Sequence, residues 1–241
     1  MKYYFLILAF NEEKYLAKTF IELKEVISQT QIDDFQIIIN NDGSSDRTDI
    51  IAKKIKEEND NNIEIITYKK NVGISKSIKN FIKKHDKGKL VIISGDNDLE
   101  KEFIKKMIIA SYKTDFVISY FINREKKGWF RAHLSTLFNL IMCAIFNVYA
   151  FYLQGPCIWP IDKIKKLHIH SNGIAYASEV NIKLLRSGLN YIEVEGIMNV
   201  GSEGSTSIKL HNFIDIAKTV LFLLVEIKIF KRFNQHSTRV N

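Results

Sequence analysis

At 241 residues, with 46% hydrophobic and 26% charged side chains, the chain carries enough apolar content for a substantial core and is not of disordered composition. A formal net charge of +8 points to anionic partners: nucleic acid, an anionic membrane surface or phosphate-bearing small molecules. No strip of Lys and Arg interleaved with aromatics marks a nucleic-acid module, and Cys143 and Cys157 lie in apolar surroundings with no CxxC, the usage of buried thiols in a reducing cytosol.

The opening run KYYFLILAF is short and lacks a small-residue cleavage site, so residues 3–9 are expected to form a strand rather than a signal peptide. After the loop Phe10 to Glu13, apolar residues at Leu16, Phe20, Leu23 and Val26 predict an amphipathic helix. A second strand, Phe35 to Ile39, leads into the polar run Asn40 to Asp46. The next helix, Thr48 to Glu58, is expected to turn Ile50, Ile51 and Ile55 to one face, with Asp46 as its N-cap. A strand at Ile63 to Thr67, a helix at Ser75 to Lys84 and a strand from Leu90 follow. This alternation predicts parallel βαβ units with a ligand site at the carboxyl ends of the strands. The polar clusters 10–13, 40–46 and 95–100 then meet at one sheet edge, without a Walker A or GxGxxG motif among them.

In LVIISGDNDLE, the short strand from Leu90 delivers Asp96 and Asp98, two residues apart. Extended geometry would point both carboxylates at one ligand, as a hard divalent cation needs; a solvated Asp-Asn-Asp turn is the other reading of the same residues.

Taken together, Ala9-Phe10-Asn11-Glu12-Glu13, Asn41-Asp42-Gly43-Ser44-Ser45-Asp46-Arg47-Thr48, Asn71-Val72-Gly73 and Gly95-Asp96-Asn97-Asp98 resemble, in order and spacing, a family 2 glycosyltransferase of GT-A fold. Within that family the chain is similar to the polyprenyl-phosphate transferases, exemplified by dolichyl-phosphate mannosyltransferase. The resemblance implies an α/β fold with a mostly parallel central sheet flanked by helices. It also implies a UDP- or GDP-linked sugar donor, inversion at the anomeric carbon and Mg2+ or Mn2+ as cofactor. Ala9, Phe10, Asn11 and Glu12 would line the nucleoside pocket, Asp42 would contact the base, and Gly73 would belong to the donor loop. Asp96, Asn97 and Asp98 would form the DxD motif, with Asp98 catalytic and Glu100 a further metal ligand. One departure is Asn41, where an acidic residue is usual. Transfer leaves a diphosphate, whose developing charge a cation and basic groups would stabilise; Lys76 and Lys79 are candidates, an ordinary solvated helix face being the other reading.

Residues 116–120 read as another strand, followed by Arg124, Lys126, Lys127, Trp129 and Arg131. From 132 to 161 there is no Asp, Glu, Lys or Arg, and 134–153 is long enough to span a membrane. Asn139, Asn147 and the Gln154-Gly155-Pro156 break oppose a span, as does continuation of the resemblance beyond it. Helices lying in the membrane interface, with Trp129 and Trp159 at headgroup level, are expected; buried core helices and a single true span are the alternatives. Downstream, the nine-residue spacing from Glu179 to Gly188 matches the acceptor-side helix of the family. Ile182, Leu185 and Leu189 would face inward, and Tyr191 to Val194 would be a strand. Glu179 is a candidate general base for a sugar-hydroxyl acceptor, unnecessary for an anionic lipid phosphate, or simply an acid at a helix N-terminus. Gly201 to Ser207 resembles the family's donor-closing loop, but its usual Arg is replaced by Gly201, leaving Arg131 or Lys209 to contact the diphosphate. Residues 213–233 suit a helix resting on an anionic bilayer, and 234–241 a loose tail. His168-Ile169-His170 lacks an acidic or Cys partner at useful spacing for a metal site.

The expected organisation is a nucleotide-sugar-binding half (1–125), an acceptor-side half (126–212) and a C-terminal helix with tail (213–241). The expected function is metal-dependent sugar transfer to a polyprenyl phosphate or lipid-linked glycan by a protein peripheral on the inner membrane face, with nucleic acid excluded as a partner. Two rival readings are a soluble transferase of surface-polysaccharide synthesis and an inactive nucleotide-sugar-binding scaffold.

Overall fold

The computed structural model describes residues 1–59, 62–199 and 210–240. Its strands are β1 (Tyr3–Ala9), β2 (Phe35–Asn41), β3 (Ile63–Thr67), β4 (Lys89–Ser94), β5 (Phe116–Phe121), β6 (Cys157–Pro160), β7 (Asn190–Gly196) and β8 (Thr238–Arg239). They form one sheet in the order β3-β2-β1-β4-β6-β5-β7-β8, in which only β6 runs antiparallel to its neighbours.

The period-2 pattern of β1 sorts its side chains between two cores. Tyr3, Phe5, Ile7 and Ala9 face the layer of α1 (Leu16–Gln29), α2 (Thr48–Glu57) and α4 (Lys101–Ser111). Tyr4 and Leu6 face α3 (Ile74–Lys84), α5 (Trp129–Phe146), α6 (Ile161–Ile164), α7 (Tyr176–Leu185) and α8 (Leu210–Leu224). Covered on both faces, the parallel strands read as continuous apolar runs. The chain leaves β1 toward β2 on one side and has β4 on the other, a topological switch point.

The second half departs from expectation in several places. The apolar stretch 132–161 is not helical throughout: α5 stops at Phe146, where Asn147 adopts a left-handed φ of 48°. The chain then doubles back, held by Asn139, whose Nδ2 donates to Ala150 O (2.9 Å) and whose Oδ1 accepts from Leu153 N (2.8 Å). At Gly155 a Cβ would lie 1.9 Å from Ser119 O, so only glycine passes beside β5. The stretch ends as β6 in mid-sheet, which takes Trp159 into the core with its Nε1 donating to Asn181 Oδ1 (2.8 Å), not to headgroup level. α5 is not a core helix either: only Asn139, Met142 and Phe146 of its 18 residues are buried, and Trp129 is 68% exposed.

Three smaller differences have local causes. Ile50 is exposed because α2 buries Thr48, Ala52 and Ile55 instead. Leu189 lies beyond the end of α7, half-buried in the turn to β7. The tail is pinned rather than loose: Ser237 N donates to Leu185 O (2.8 Å) and β8 pairs with β7.

Candidate active site

The ends of β1, β2 and β4 bring the three polar clusters to one edge, and hydrogen bonds lace them together. Asp42 N donates to Ala9 O (2.8 Å) and Gly95 N to Leu8 O (2.9 Å). Asn11, left-handed at φ 59°, accepts from Ser45 N at its Oδ1 (2.8 Å), while its own N–H donates to Ser44 Oγ (2.9 Å). Glu12 N donates to Thr48 Oγ1 (2.8 Å) and Glu13 N to Asp46 Oδ2 (3.1 Å). Asp46 also accepts from Thr48 N (3.0 Å), but the N-cap of α2 is Arg47 rather than the expected Asp46, since Arg47 O takes the helix's first bond, from Ile51 N.

The Asp42 carboxylate accepts from Val72 N (2.7 Å) and Gly73 N (2.9 Å), so it fixes the Asn71-Val72-Gly73 loop beside the edge. Asn41, the departure from the usual acid, has a physical account. Its Nδ2 donates to Asp49 Oδ1 (3.2 Å) and its Oδ1 accepts from Ser44 N (3.1 Å); a carboxylate there would lose the first bond and face Asp49 as a like charge.

Asp96 is half-buried and Asp98 buried, at either side of the buried Asn97. Asp98 N donates to Asp96 Oδ1 (3.2 Å), and Asn97 is left-handed at φ 56°, so the segment is a turn rather than a continued strand. Burial, and then the carboxylates of Asp96, Asp46 and Asp98, push the Glu12 carboxyl up to about 7. Such a group of hard oxygen donors suits Mg2+ or Mn2+. Glu100 follows as the extended residue that starts α4, its carbonyl accepting from Phe103 N and Ile104 N.

The remaining expected residues sit differently. Phe10 is 46% exposed at the edge, Lys76 is exposed on the first turn of α3, and Arg131 is half-buried on the first turn of α5. Lys79 is not aimed at a diphosphate: its ammonium donates to Ile169 O (3.0 Å), Ser171 O (2.8 Å) and Asn172 Oδ1 (2.9 Å). Lys209 and the Gly201 to Ser207 loop lie outside the described residues.

Glu179 is not at the open edge. It is 0% exposed, accepts from His170 N (3.0 Å) and Ser171 N (2.8 Å), and pairs with Lys183 Nζ at 2.8 Å. In this position it is closed to solvent and holds the backbone at His170 and Ser171, the structural role rather than the expected one of general base. His170, Glu179 and Glu226 stand close enough to hold a metal ion, contrary to the expectation that the His-Ile-His stretch has no acidic partner. Yet Lys183 Nζ is also 2.5 Å from Glu226 Oε2 and donates to His168 O, so an ammonium already takes the cation's place.

Sequence reasoning passed over a cleft between the end of β5 and α5, lined by Phe121, Ile122, Arg124, His133, Leu137 and Leu140. Arg124 Nη2 donates to Thr136 Oγ1 (3.0 Å) and its guanidinium lies 4.6 Å from the Tyr152 ring centroid, while Nη1 is buried without a hydrogen bond among the described residues. The basic, aromatic composition of 124–131 was the available signal.

Comparison with known proteins agrees with this geometry. The family model described as Glycosyl transferase family 2 matches residues 4–169, more than half of the chain. An uncharacterized glycosyltransferase, YkcC, of Bacillus subtilis (strain 168) is 25% identical over 152 residues, 61% of this chain and 46% of that protein. The chain thus spans about half the length of that relative. Among solved structures, mannosyl-3-phosphoglycerate synthase from Rubrobacter xylanophilus superposes with a TM-score of 0.67 at 13% identity, covering 95% of this chain and 75% of that one. S. aureus TarS 1-349 in complex with UDP-GlcNAc gives 0.61 at 16% identity, covering 93% and 67%. With its mostly parallel sheet and the polar clusters at its switch point, the chain belongs to glycosyltransferase family 2 and has the GT-A fold.

Proposed function

We propose that the protein transfers a sugar from a UDP- or GDP-linked donor to an anionic lipid acceptor, a polyprenyl phosphate or lipid-linked glycan, at the cytosolic membrane face. The observation that carries the donor side is the gathering of Glu12, Asp46, Asp96 and Asp98 at the switch point, with Glu12 driven up to about 7 by burial and three like charges. Asp96 and Asp98, with Glu100 adjoining, are the residues that would hold Mg2+ or Mn2+. Such a cation supplies compensation for the charge that develops on the departing diphosphate. Ala9, Phe10, Asn11, Glu12, Asp42, Gly73 and Asn97 border the donor, with Lys76 and Arg131 as the nearby basic groups.

For the acceptor, the Arg124 cleft supports an amphiphilic anion. The Arg124 guanidinium, whose Nη1 has no hydrogen bond among the described residues, offers a charged group to a phosphate, and Leu137 and Leu140 offer an apolar wall for a chain. A phosphate oxygen attacking the anomeric carbon is already ionised, so a new C–O bond forms as the donor's C–O bond breaks without a general base. That is consistent with a Glu179 engaged elsewhere.

For location, α5 is the one described helix long and apolar enough to cross a membrane, yet Met142 and Phe146 anchor it in the core and β6 follows in mid-sheet. Its exposed side with Trp129, Phe130 and Leu140, and that of α8 with Phe213, Leu221 and Phe222, suit peripheral docking rather than a span. The test is turnover with a panel of UDP- and GDP-sugars, Mn2+ and polyprenyl phosphate, comparing wild type, Asp98→Ala and Arg124→Ala. Expected is lipid-dependent consumption of one donor, abolished in the first variant and with a raised acceptor KM in the second. Turnover only with soluble glycans would replace the lipid acceptor, and metal-dependent nucleotide binding without turnover would leave a scaffold.

A further inference from the structure

We infer that Asn123, Asn199 and Glu22 form a bracket that positions the Asp96-Asn97-Asp98 turn, making them positioning residues for cation and donor binding. This rests on the reading of that turn as the donor's cation site. Asn123 lies just beyond β5 and is buried. Its Nδ2 donates to Met198 O (3.0 Å) and its Oδ1 accepts from Met198 N (2.9 Å), so both backbone groups of Met198 are fixed by one side chain. Met198 in turn bridges Leu99 in antiparallel fashion.

The next residue, Asn199, then grips the turn twice. Its backbone N–H donates to Asp98 O (2.9 Å) and its side-chain Nδ2 donates to Asn97 O (2.9 Å). From the opposite side, Asn97 Nδ2 donates to Glu22 Oε2 (2.8 Å) on α1. The left-handed backbone of Asn97 is disfavoured for a residue with a Cβ, and these bonds hold it there. The consequence is functional because Asp96 and Asp98 flank Asn97, and ligand carboxylates need placing to within about 0.5 Å. An amide is the right group at both asparagines: each donates a bond that a carboxylate would forfeit beside an acidic cluster.

The experiment measures UDP and GDP binding by calorimetry across a Mn2+ titration, alongside melting temperature. Asn199→Ala removes the bond to Asn97 O and keeps the backbone grip; Glu22→Ala removes the acceptor for Asn97, whereas Glu22→Gln retains an acceptor oxygen. Asn123→Asp keeps the shape but loses the donor to Met198. Asn199→Ala, Glu22→Ala and Asn123→Asp are each expected to raise the Mn2+ concentration for half-maximal nucleotide binding by about tenfold, ~1.4 kcal/mol. Glu22→Gln is expected to stay within about twofold of wild type. Lowered melting temperatures with an unchanged Mn2+ requirement would overturn the positioning role, and so would equal losses in Glu22→Gln and Glu22→Ala. Failure of the wild type itself to bind either nucleotide with Mn2+ would remove the donor-site reading, and the bracket's role with it, before any variant is compared.

Discussion

Glu12→Gln is expected to stabilise the metal-free protein in alkaline buffer and to do little in acid. Burial and the carboxylates of Asp96, Asp46 and Asp98 push the Glu12 carboxyl from 4.5 to about 7. The folded chain therefore holds this proton more tightly than the unfolded chain, and ionising it costs folded-state stability. The cost is absent below the unfolded value of 4.5, grows as pH rises, and is complete above about 7. The interval corresponds to at most about 3.4 kcal/mol. Glu12 is only half-buried, so solvent screening brings this to about 1–2 kcal/mol. For a chain of this size that is a gain of about 2–4 °C in Tm. Thermal and urea unfolding in EDTA, at about pH 8 and about pH 5, reads it directly, with about a quarter of the effect surviving at the lower pH. Equal gains at both pH values would refute the electrostatic account. A loss at the higher pH would mean that a cationic group of the protein already neutralises Glu12.

The other expectations concern packing and docking. Gly43→Ala should cost about 2–4 kcal/mol in urea unfolding, because φ is +71° and a Cβ would lie 2.5 Å from Lys70 C. Lys183→Met leaves Glu179 and Glu226 buried without their ammonium and should cost about 3–5 kcal/mol; adding Glu226→Gln to it should recover part of that loss. Phe130→Glu, at a side chain 66% exposed on α5, should weaken cosedimentation with anionic lipid vesicles by about tenfold or more and leave UDP affinity unchanged. Vesicle binding that ignores this change would place the docking surface elsewhere.

The first half was legible because its signals are local. The run Tyr3 to Ala9 alternates between two cores, α1 repeats Leu16, Phe20 and Leu23 on one side, and the polar clusters follow their strands directly. Residues 132–161 defeated the same reasoning because a short, fully buried strand such as Cys157–Pro160 has no period to distinguish it from helix. The end of α5 depends on Asn139 reaching the chain that returns beside it, which no spacing announces. Glu179 kept the family's spacing, yet the partners that fix its role arrive from the 168–171 loop and Lys183. The bracket at Asn97 joins residues of α1, the end of β5 and the segment after β7, so it exists only once the sheet has formed.

The two carboxylate clusters of this fold are best understood against each other. Glu179 and Glu226 are deeply buried, and the chain supplies its own cation, Lys183, at 2.8 and 2.5 Å. Glu12, Asp46, Asp96 and Asp98 are less buried, and after burial it is the negative charges of Asp96, Asp46 and Asp98 that raise Glu12. Ionising Glu12 beside these acids costs stability at neutral pH. A lysine among the second set would remove that cost and occupy the space a divalent cation needs. The cost is borne at the carboxyl ends of β1 and β4, at the topological switch point, where ligands enter open α/β sheets. Asp96 and Asp98, two of the charges that raise Glu12, are the groups that would hold a cation, and an acid raised by such neighbours at a switch point is what a binding site rather than a packing defect would leave.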